Sequence, residues 1–188
     1  MEFRLYYRGE LHSNGNPLHK HSIRKCIHKQ MSELWKQKPL NSYQDLLRKE
    51  KDFSYVNFHI LQEIGNFTFV PLVNTKMNLI AELDITLLRP EEPGQIVTQG
   101  GDIDNRLKTL LDALRMPKNI NELPKSSTPD PDENPFFCLL EDDNLITRIN
   151  IVTDRLLEPV ADNSLVVMLI HVHTKVTKAE MYNIGLGV

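Results

Sequence analysis

Apolar and polar residues alternate along several segments of the chain in the way that β-strands require. In residues 79–87 an apolar residue at every second position alternates with Glu82, Asp84 and Thr86. A period of two places the apolar side chains on one face of a sheet and leaves the other face polar. Apolar runs predict further strands at residues 3–8, 66–73, 136–140, 145–154 and 165–174. The last of these is almost continuously apolar, so we expect it in the centre of its sheet.

Two other segments show the spacing of amphipathic α-helices. Residues 18–38 contain no Gly or Pro, and their apolar residues recur at intervals of three and four: Ile23, Cys26, Ile27, Met31 and Leu34. Residues 104–115, which end before Pro117, carry a leucine stripe: Leu107, Leu110, Leu111 and Leu114. A short helix is also expected near residues 43–48. This order of elements predicts one α+β domain over residues 1–188, with a mixed β-sheet flanked by helices.

The segment 117–135 interrupts this pattern with five prolines among polar residues, which predicts a long polar loop. The composition of the whole chain is that of a globular protein, with 40% hydrophobic and 25% charged residues. No apolar run reaches the roughly 18 residues that a membrane-spanning helix needs. The two cysteines form no CxxC motif, and the first residues lack a signal-peptide core. We therefore expect a cytoplasmic protein with no membrane partner.

Charge is distributed unevenly along the chain. Residues 1–40 hold eight Lys and Arg residues against three Glu residues, a balance of +5, so the remainder carries −8 within a net charge of −3. A basic segment of this kind suits contact with a polyanion, although a solvated basic helix face gives the same pattern. Four cations of the first predicted helix are the candidate contacts to the phosphates of such a polyanion: Lys20, Arg24, Lys25 and Lys29.

Acidic residues concentrate in two short segments next to apolar elements. Asp102 and Asp104 follow a Gly-Gly pair, and two carboxylates two residues apart in an extended segment point to the same side. The second group is the Glu-Asp-Asp-Asn sequence of residues 141–144. Carboxylate oxygens are the ligands that Mg²⁺ prefers. The same residues also fit structural roles, namely a helix N-cap, an Asp104–Lys108 helix pair and a polar turn.

Together these segments resemble the RusA family of Holliday-junction resolvases. The resemblance covers about residues 79–154 and is carried by Asp102, Asp104, Asn105 and Lys108, then Leu111-Asp112-Ala113-Leu114, and finally Asp142-Asp143. It implies a RusA-like fold and a homodimer. It also implies hydrolysis of DNA phosphodiesters with Mg²⁺, or alternatively Mn²⁺, at paired positions in a four-way junction.

By this resemblance Asp102, Asp104 and Asp143 are the metal ligands and catalytic carboxylates, and Lys108 is the catalytic cation. Lys108 would stabilise charge on the phosphate or orient the attacking water. Arg106, within the same motif, is assigned either a phosphate contact or a solvent-facing role. Two other functions stay open: a non-catalytic DNA-binding or assembly module of the same fold, and a nuclease for other branched DNA.

Two His-x-His pairs look like metal ligands by spacing alone. His171 and His173 share a strand face with apolar neighbours, which favours a partly buried structural role. His19 and His21, in the first predicted helix, are expected at the surface.

Overall fold

The computed structural model describes residues 1–49, 57–90, 103–160 and 164–187. The strands in these ranges are β1 (Glu2–Glu10), β2 (Gln62–Ile64), β3 (Phe67–Val73), β4 (Leu79–Arg89), β5 (Phe136–Leu140), β6 (Ile146–Arg155) and β7 (Leu165–Val176). The α-helices are α1 (Pro17–Trp35) and α2 (Ile103–Leu114), and 3₁₀ helices lie at Leu40–Leu47, Ile120–Glu122 and Asp143–Leu145. No helix in the described ranges has the length and apolar character needed to cross a membrane. The predicted α+β class is confirmed.

The larger sheet has four strands in the order β1-β7-β4-β6. β7 is antiparallel to both of its neighbours, β1 and β4, whereas β4 and β6 are parallel. The central position expected for residues 165–174 is therefore confirmed. Alternate residues of β7 are buried, and partly exposed residues such as Leu169 and His171 lie between them. The sheet thus has one face in the core and one open face, which is named below as the open sheet face.

The smaller sheet has the order β2-β3-β5 and carries a proline, Pro71, in its middle strand. β2 pairs only with residues 67–69 of β3, so Pro71 lies where β3 has no β2 residue beside it. On its other side Pro71 is in register with Cys138 of the parallel strand β5. The short β2 explains why a proline is tolerated here, because proline cannot contribute an N–H to a sheet.

The predicted loop of residues 117–135 and the start of β5 are attached to α1 by hydrogen bonds to His28. The backbone N–H of Phe137 donates to His28 Nδ1 at 2.8 Å, so Nδ1 is an acceptor. The proton of the neutral ring is then on Nε2, which donates to the Asp132 carbonyl oxygen at 3.0 Å. Glu133 is 3% exposed, so part of this polar segment is buried against the body of the protein.

Candidate functional site

The first acidic segment leads into α2, and Asp102 itself lies outside the described residues. Asp104 is in the first turn of α2 and is exposed, and Lys108, four residues further along, is also exposed. Residues four apart are neighbours on a helix surface, so this carboxylate and this ammonium group share one surface. Neither takes part in an ion pair with another residue that the structure describes.

Two contacts hold the amino-terminal half of α2 against the segment that follows β1. The backbone N–H of Gly15 donates to Thr109 Oγ1 at 2.9 Å, and a Cβ at Gly15 would lie only 2.6 Å from Thr109 Cγ2. Arg106 Nη1 donates to the Leu11 carbonyl oxygen at 2.7 Å, and Arg106 is 7% exposed. The phosphate-contacting or solvent-facing role suggested for Arg106 is therefore wrong, because its guanidinium is buried and binds the backbone.

Glu141, the first residue of the second acidic segment, is engaged within the fold. Its Oε2 accepts hydrogen bonds from the Thr75 backbone N–H at 2.8 Å and from the Thr75 hydroxyl at 2.9 Å. Its Oε1 accepts a hydrogen bond from the Gln62 side-chain amide at 3.1 Å. Glu141 therefore links the end of β5 to β2 and to the turn before β4.

The next two carboxylates lie beside one lysine. Lys118 Nζ is 2.8 Å from Asp142 Oδ2 and 3.6 Å from Asp143 Oδ1. Burial by itself raises the pKa of Asp142, but hydrogen bonds from Lys118 and from the Asn144 N–H outweigh it and lower the pKa to about 2. The Asp143 side chain is 42% exposed, so it is open to solvent as well as to Lys118.

Asp104 and Asp143 lie at opposite ends of α2. Arg115, just beyond the helix, forms a parallel β-bridge with Leu140, which is three residues before Asp143. Eleven residues at a rise of 1.5 Å place Asp104 about 16 Å from Arg115 along the helix axis. Asp143 therefore lies near the carboxyl end of α2, whereas Asp104 lies at its amino end.

The pairing of β4 with β6 also indicates that Asp104 and Asp143 are far apart. The amino end of α2 lines a small cavity together with Ile85 and Leu87 of β4, whereas Asp143 leads into β6, whose Ile146 pairs with Ala81. Ile85 and Leu87 are four and six positions beyond Ala81, which is about 13–20 Å along a strand. A shared metal site requires Asp102, Asp104 and Asp143 to converge; Asp102 lies outside the described residues, and the fold places Asp104 and Asp143 of one chain apart. The physical reason is that residues 117–140 bring the chain back to the carboxyl end of α2.

Two of the candidate phosphate contacts on α1 form ion pairs within the chain. Lys20 Nζ is 2.7 Å from Asp112 Oδ2. Lys25 Nζ is 2.7 Å from Asp130 Oδ2 and 2.9 Å from Glu133 Oε1. These two lysines attach α1 to α2 and to the loop of residues 117–135, so phosphate would have to compete with carboxylates that are already in place.

The other two candidates on α1 have contrasting surroundings. Arg24 is 1% exposed, and it donates to the carbonyl oxygens of Arg115 at 3.1 Å and Asp112 at 2.8 Å. The prediction that Arg24 contacts DNA is wrong, because the guanidinium supplies donors to carbonyl groups at the end of α2. His21 is 4% exposed, so its predicted surface position is also wrong. Lys29 is exposed, as its proposed role requires.

Arg115 completes a buried salt-bridge network at the carboxyl end of α2. Its Nη2 is 2.7 Å from Asp112 Oδ1, and its Nη1 is 2.8 Å from Glu122 Oε2. Burial opposes ionisation of Asp112, but the Lys20 ammonium and the Arg115 guanidinium hold the pKa of Asp112 below its usual value. The network therefore consists of ionised groups that compensate one another.

The open sheet face carries a group of residues that sequence reasoning did not combine. His171 and His173 lie there and are partly buried, as expected. Glu2 of β1 is beside both, with its Oε2 3.4 Å from His171 Nε2 and its Oε1 3.2 Å from His173 Nδ1. The pairing of β1 with β7 brings Glu2 there, and this pairing is not visible in the local pattern. The only signal in the sequence is the alternation of β1, which places Glu2 on the polar face.

Comparisons with known proteins identify no relative of this chain. No family model matches it, and no curated protein or solved structure matches it significantly. What the protein does must therefore be inferred from its own residues and their geometry.

Proposed function

We propose that the protein is a Mg²⁺-dependent endodeoxyribonuclease of the RusA type, which makes paired cuts in four-way DNA junctions. The observation that carries the proposal is the exposed surface formed by Asp104 and Lys108 at the amino end of α2. By contrast, Asp112, which is four residues after Lys108 on the same side of the helix, forms ion pairs with Lys20 and Arg115. The motif resemblance and the α+β class support the same function.

Each group at this surface has a role in phosphodiester hydrolysis. The carboxylate oxygens of Asp104, with those of the neighbouring Asp102, suit a hard cation such as Mg²⁺ or Mn²⁺, which would activate water and neutralise charge on the phosphate. Lys108, a compact cation one turn further along, would bind the phosphate oxygen on which charge develops. The N–H groups in the first turn of α2 add a partial positive charge that favours phosphate binding.

The third carboxylate, Asp143, would come from a second copy of the chain. Within one chain Asp143 lies near the carboxyl end of α2, too far from Asp104 to share a cation with it. A two-fold homodimer that places two α2 helices antiparallel would set Asp143 of each chain beside Asp104 of the other. Two such composite sites suit the two-fold symmetry of a four-way junction and its paired cuts.

Two substitutions test both the chemistry and the composite site. Asp104→Asn and Asp143→Asn homodimers should each lose junction cleavage in Mg²⁺ by about 100-fold or more, because each removes a ligand charge from both sites. Asp45→Asn, which changes an exposed aspartate paired with Arg48, is the matched control and should cut at the wild-type rate. Purified wild-type protein that leaves four-way, flap and duplex DNA intact in Mg²⁺ and Mn²⁺ would favour the non-catalytic DNA-binding module.

The composite site is tested separately with a differently tagged heterodimer of one Asp104→Asn chain and one Asp143→Asn chain. If the sites are shared, one of them contains only wild-type residues, so this heterodimer should nick the junction without making paired cuts. A heterodimer as inactive as the two homodimers would place both aspartates of each site in one chain. Comparing junction with flap DNA decides between a junction resolvase and a nuclease for other branched DNA. The proposal retains the expected cytoplasmic location.

A further inference from the structure

We propose that Glu2, His171 and His173 form a binding site for a divalent transition-metal ion of the Zn²⁺ class on the open sheet face. The site does not use any residue of the nuclease proposal, so each proposal can be tested without the other. One ligand atom from each of the three residues lies within 4.8 Å of the others, and no other such group of His, Cys, Asp and Glu occurs among the described residues.

The strand pairing creates this arrangement. His171 and His173 are two residues apart on β7 and therefore point to the same face, with ring centroids 4.0 Å apart. Glu2 is the register partner of His173 on the neighbouring strand β1. Side chains opposite each other on adjacent strands are in direct contact distance, so two imidazoles and one carboxylate converge. Because the three residues are on regular strands, their positions are fixed by the sheet.

The distance from the Glu2 carboxylate to each histidine nitrogen is close to the spacing of ligand atoms around a tetrahedral ion. Zn²⁺ binds nitrogen and carboxylate oxygen at about 2.0–2.1 Å, which places tetrahedral ligand atoms roughly 3.3 Å apart. The observed separations are 3.4 Å between Glu2 Oε2 and His171 Nε2 and 3.2 Å between Glu2 Oε1 and His173 Nδ1, so each histidine faces a different oxygen of the same carboxylate. Three protein ligands would leave a fourth position for water or another small ligand, as in zinc sites that bind a solvent molecule.

One nitrogen of the cluster lacks a hydrogen-bond partner. His171 Nε2 is shielded from solvent and forms no hydrogen bond, although the Glu2 carboxylate is 3.4 Å away. A shielded polar atom without a partner costs free energy, so native structures rarely leave one in this condition. A metal ion between His171 and Glu2 would use the lone pair that Nε2 carries when the ring proton is on Nδ1.

The second histidine is oriented for metal binding by a carboxylate on its other side. Asp84 Oδ2 is 3.2 Å from His173 Nε2, and Asp84 is itself fixed by Arg148 at 2.9 and 3.1 Å. If Nε2 carries the proton toward Asp84, the Nδ1 lone pair points toward Glu2. Metal-ligating histidines commonly donate their other N–H to a carboxylate in this way. Asp84 is therefore a positioning residue of the proposed site.

The chain contains a second histidine–glutamate contact, which serves for comparison. His12 Nε2 is 2.6 Å from Glu10 Oε2, and the nearby His19 uses its Nε2 to accept a hydrogen bond from the His12 backbone N–H. With that nitrogen occupied, this group lacks the third ligand atom. His12 is consequently a matched control, since it is also a histidine beside a glutamate.

The test uses Co²⁺ as a spectroscopic probe for the site in the purified full-length chain. Wild-type protein should bind one Co²⁺ with the strong visible absorption of tetrahedral coordination, and Zn²⁺ should displace it whereas Mg²⁺ should not. His171→Gln and His173→Gln should each weaken binding by at least about 100-fold, and Asp84→Asn by about 10- to 100-fold. His12→Gln should bind as the wild type does.

The unfolding temperature, measured with and without Zn²⁺, distinguishes a variant that has lost metal binding from one that has not folded. Zn²⁺ should raise the unfolding temperature of the wild type and of His12→Gln, while Glu2→Gln and the two ligand histidine variants should unfold at similar temperatures with and without Zn²⁺. Asp104→Asn should retain the Co²⁺ spectrum, because Asp104 is not part of this site. The proposal is overturned if folded wild-type protein gives no saturable tetrahedral spectrum. It is equally overturned if the spectrum survives in folded His171→Gln and His173→Gln.

Discussion

The two ends of α2 carry the same types of charged residue in different surroundings. At the amino end, Asp104 and Lys108 are exposed and have no ion-pair partner among the described residues. At the carboxyl end, Asp112 is 9% exposed and Arg115 is 5% exposed, and they bind each other. Lys20 of α1 forms a second ion pair with Asp112 at this end.

This difference arises from packing and not from spacing. Asp104, Lys108 and Asp112 follow one another at intervals of four, so they form a single row along the helix. α1 and the 117–135 segment cover only the carboxyl end of that row. Charges that are covered must be paired to be tolerated, whereas uncovered charges are free to bind a substrate. Burial therefore separates the structural part of the row from the part proposed to act on DNA.

The largest expected effect at the structural end follows from Arg115→Ala. The substitution leaves the carboxylates of Asp112 and Glu122 without their guanidinium partner, and breaking a buried pair from one side costs about 3–5 kcal/mol. Urea unfolding followed by circular dichroism measures the loss. Arg48→Ala, which removes an exposed arginine paired with Asp45, should change the free energy of unfolding by less than about 1 kcal/mol. Equal effects of the two substitutions would contradict the comparison.

Buried His21 should make the free energy of unfolding depend on pH. Burial, followed by the charges of Arg24 and Lys25, lowers the pKa of His21 from 6.5 to about 4. The unfolded chain therefore takes up a proton on this ring at a higher pH than the folded chain does. The contribution of His21 is complete above pH 6.5 and is lost as the pH falls toward 4, with a total of about 2–3 kcal/mol.

Unfolding at several pH values tests this expectation for His21. The wild type should lose stability between pH 6.5 and 4, and His21→Leu should show a clearly shallower loss over the same window. His12→Gln is the control, since His12 is exposed and its removal should leave the profile close to that of the wild type. A His21→Leu profile as steep as that of the wild type would mean that other groups cause the acid sensitivity.

Local periodicity was sufficient to predict most of the fold. The alternation of Glu82, Asp84 and Thr86 with apolar residues predicted β4, and their side chains lie on its less buried face. The apolar run of residues 165–174 predicted the central strand for a similar reason, since a strand with neighbours on both sides needs many apolar side chains. These signals are contained in neighbouring residues, so the sequence displays them directly.

The candidate site was predicted less well because it depends on contacts between distant residues. Arg24 is not in the apolar stripe of α1, yet its hydrogen-bond partners are Asp112 and Arg115, 88 and 91 residues further along the chain. Asp143 belongs to the second segment of the motif, but the motif contains no information about which end of α2 this segment approaches. Glu2 could not be linked to His173 before the pairing of β1 with β7 was known.

The smallest predicted effect on a measured property is a change in the salt dependence of DNA binding, and it contrasts Lys29 with Arg24. Both were predicted to contact phosphate, but Lys29 is exposed and Arg24 is 1% exposed. Lys29→Ala should reduce the slope of log Kobs against log salt concentration by about one unit, because one phosphate contact is lost, and it should leave stability nearly unchanged. Arg24→Met should leave the slope unchanged but destabilise the fold by about 2–4 kcal/mol, since two buried carbonyl groups lose their donor. Fluorescence anisotropy with junction DNA in EDTA, at a temperature where circular dichroism shows both variants folded, measures the slopes. A reduced slope for Arg24→Met together with an unchanged slope for Lys29→Ala would show that burial does not separate binding residues from structural ones in this protein.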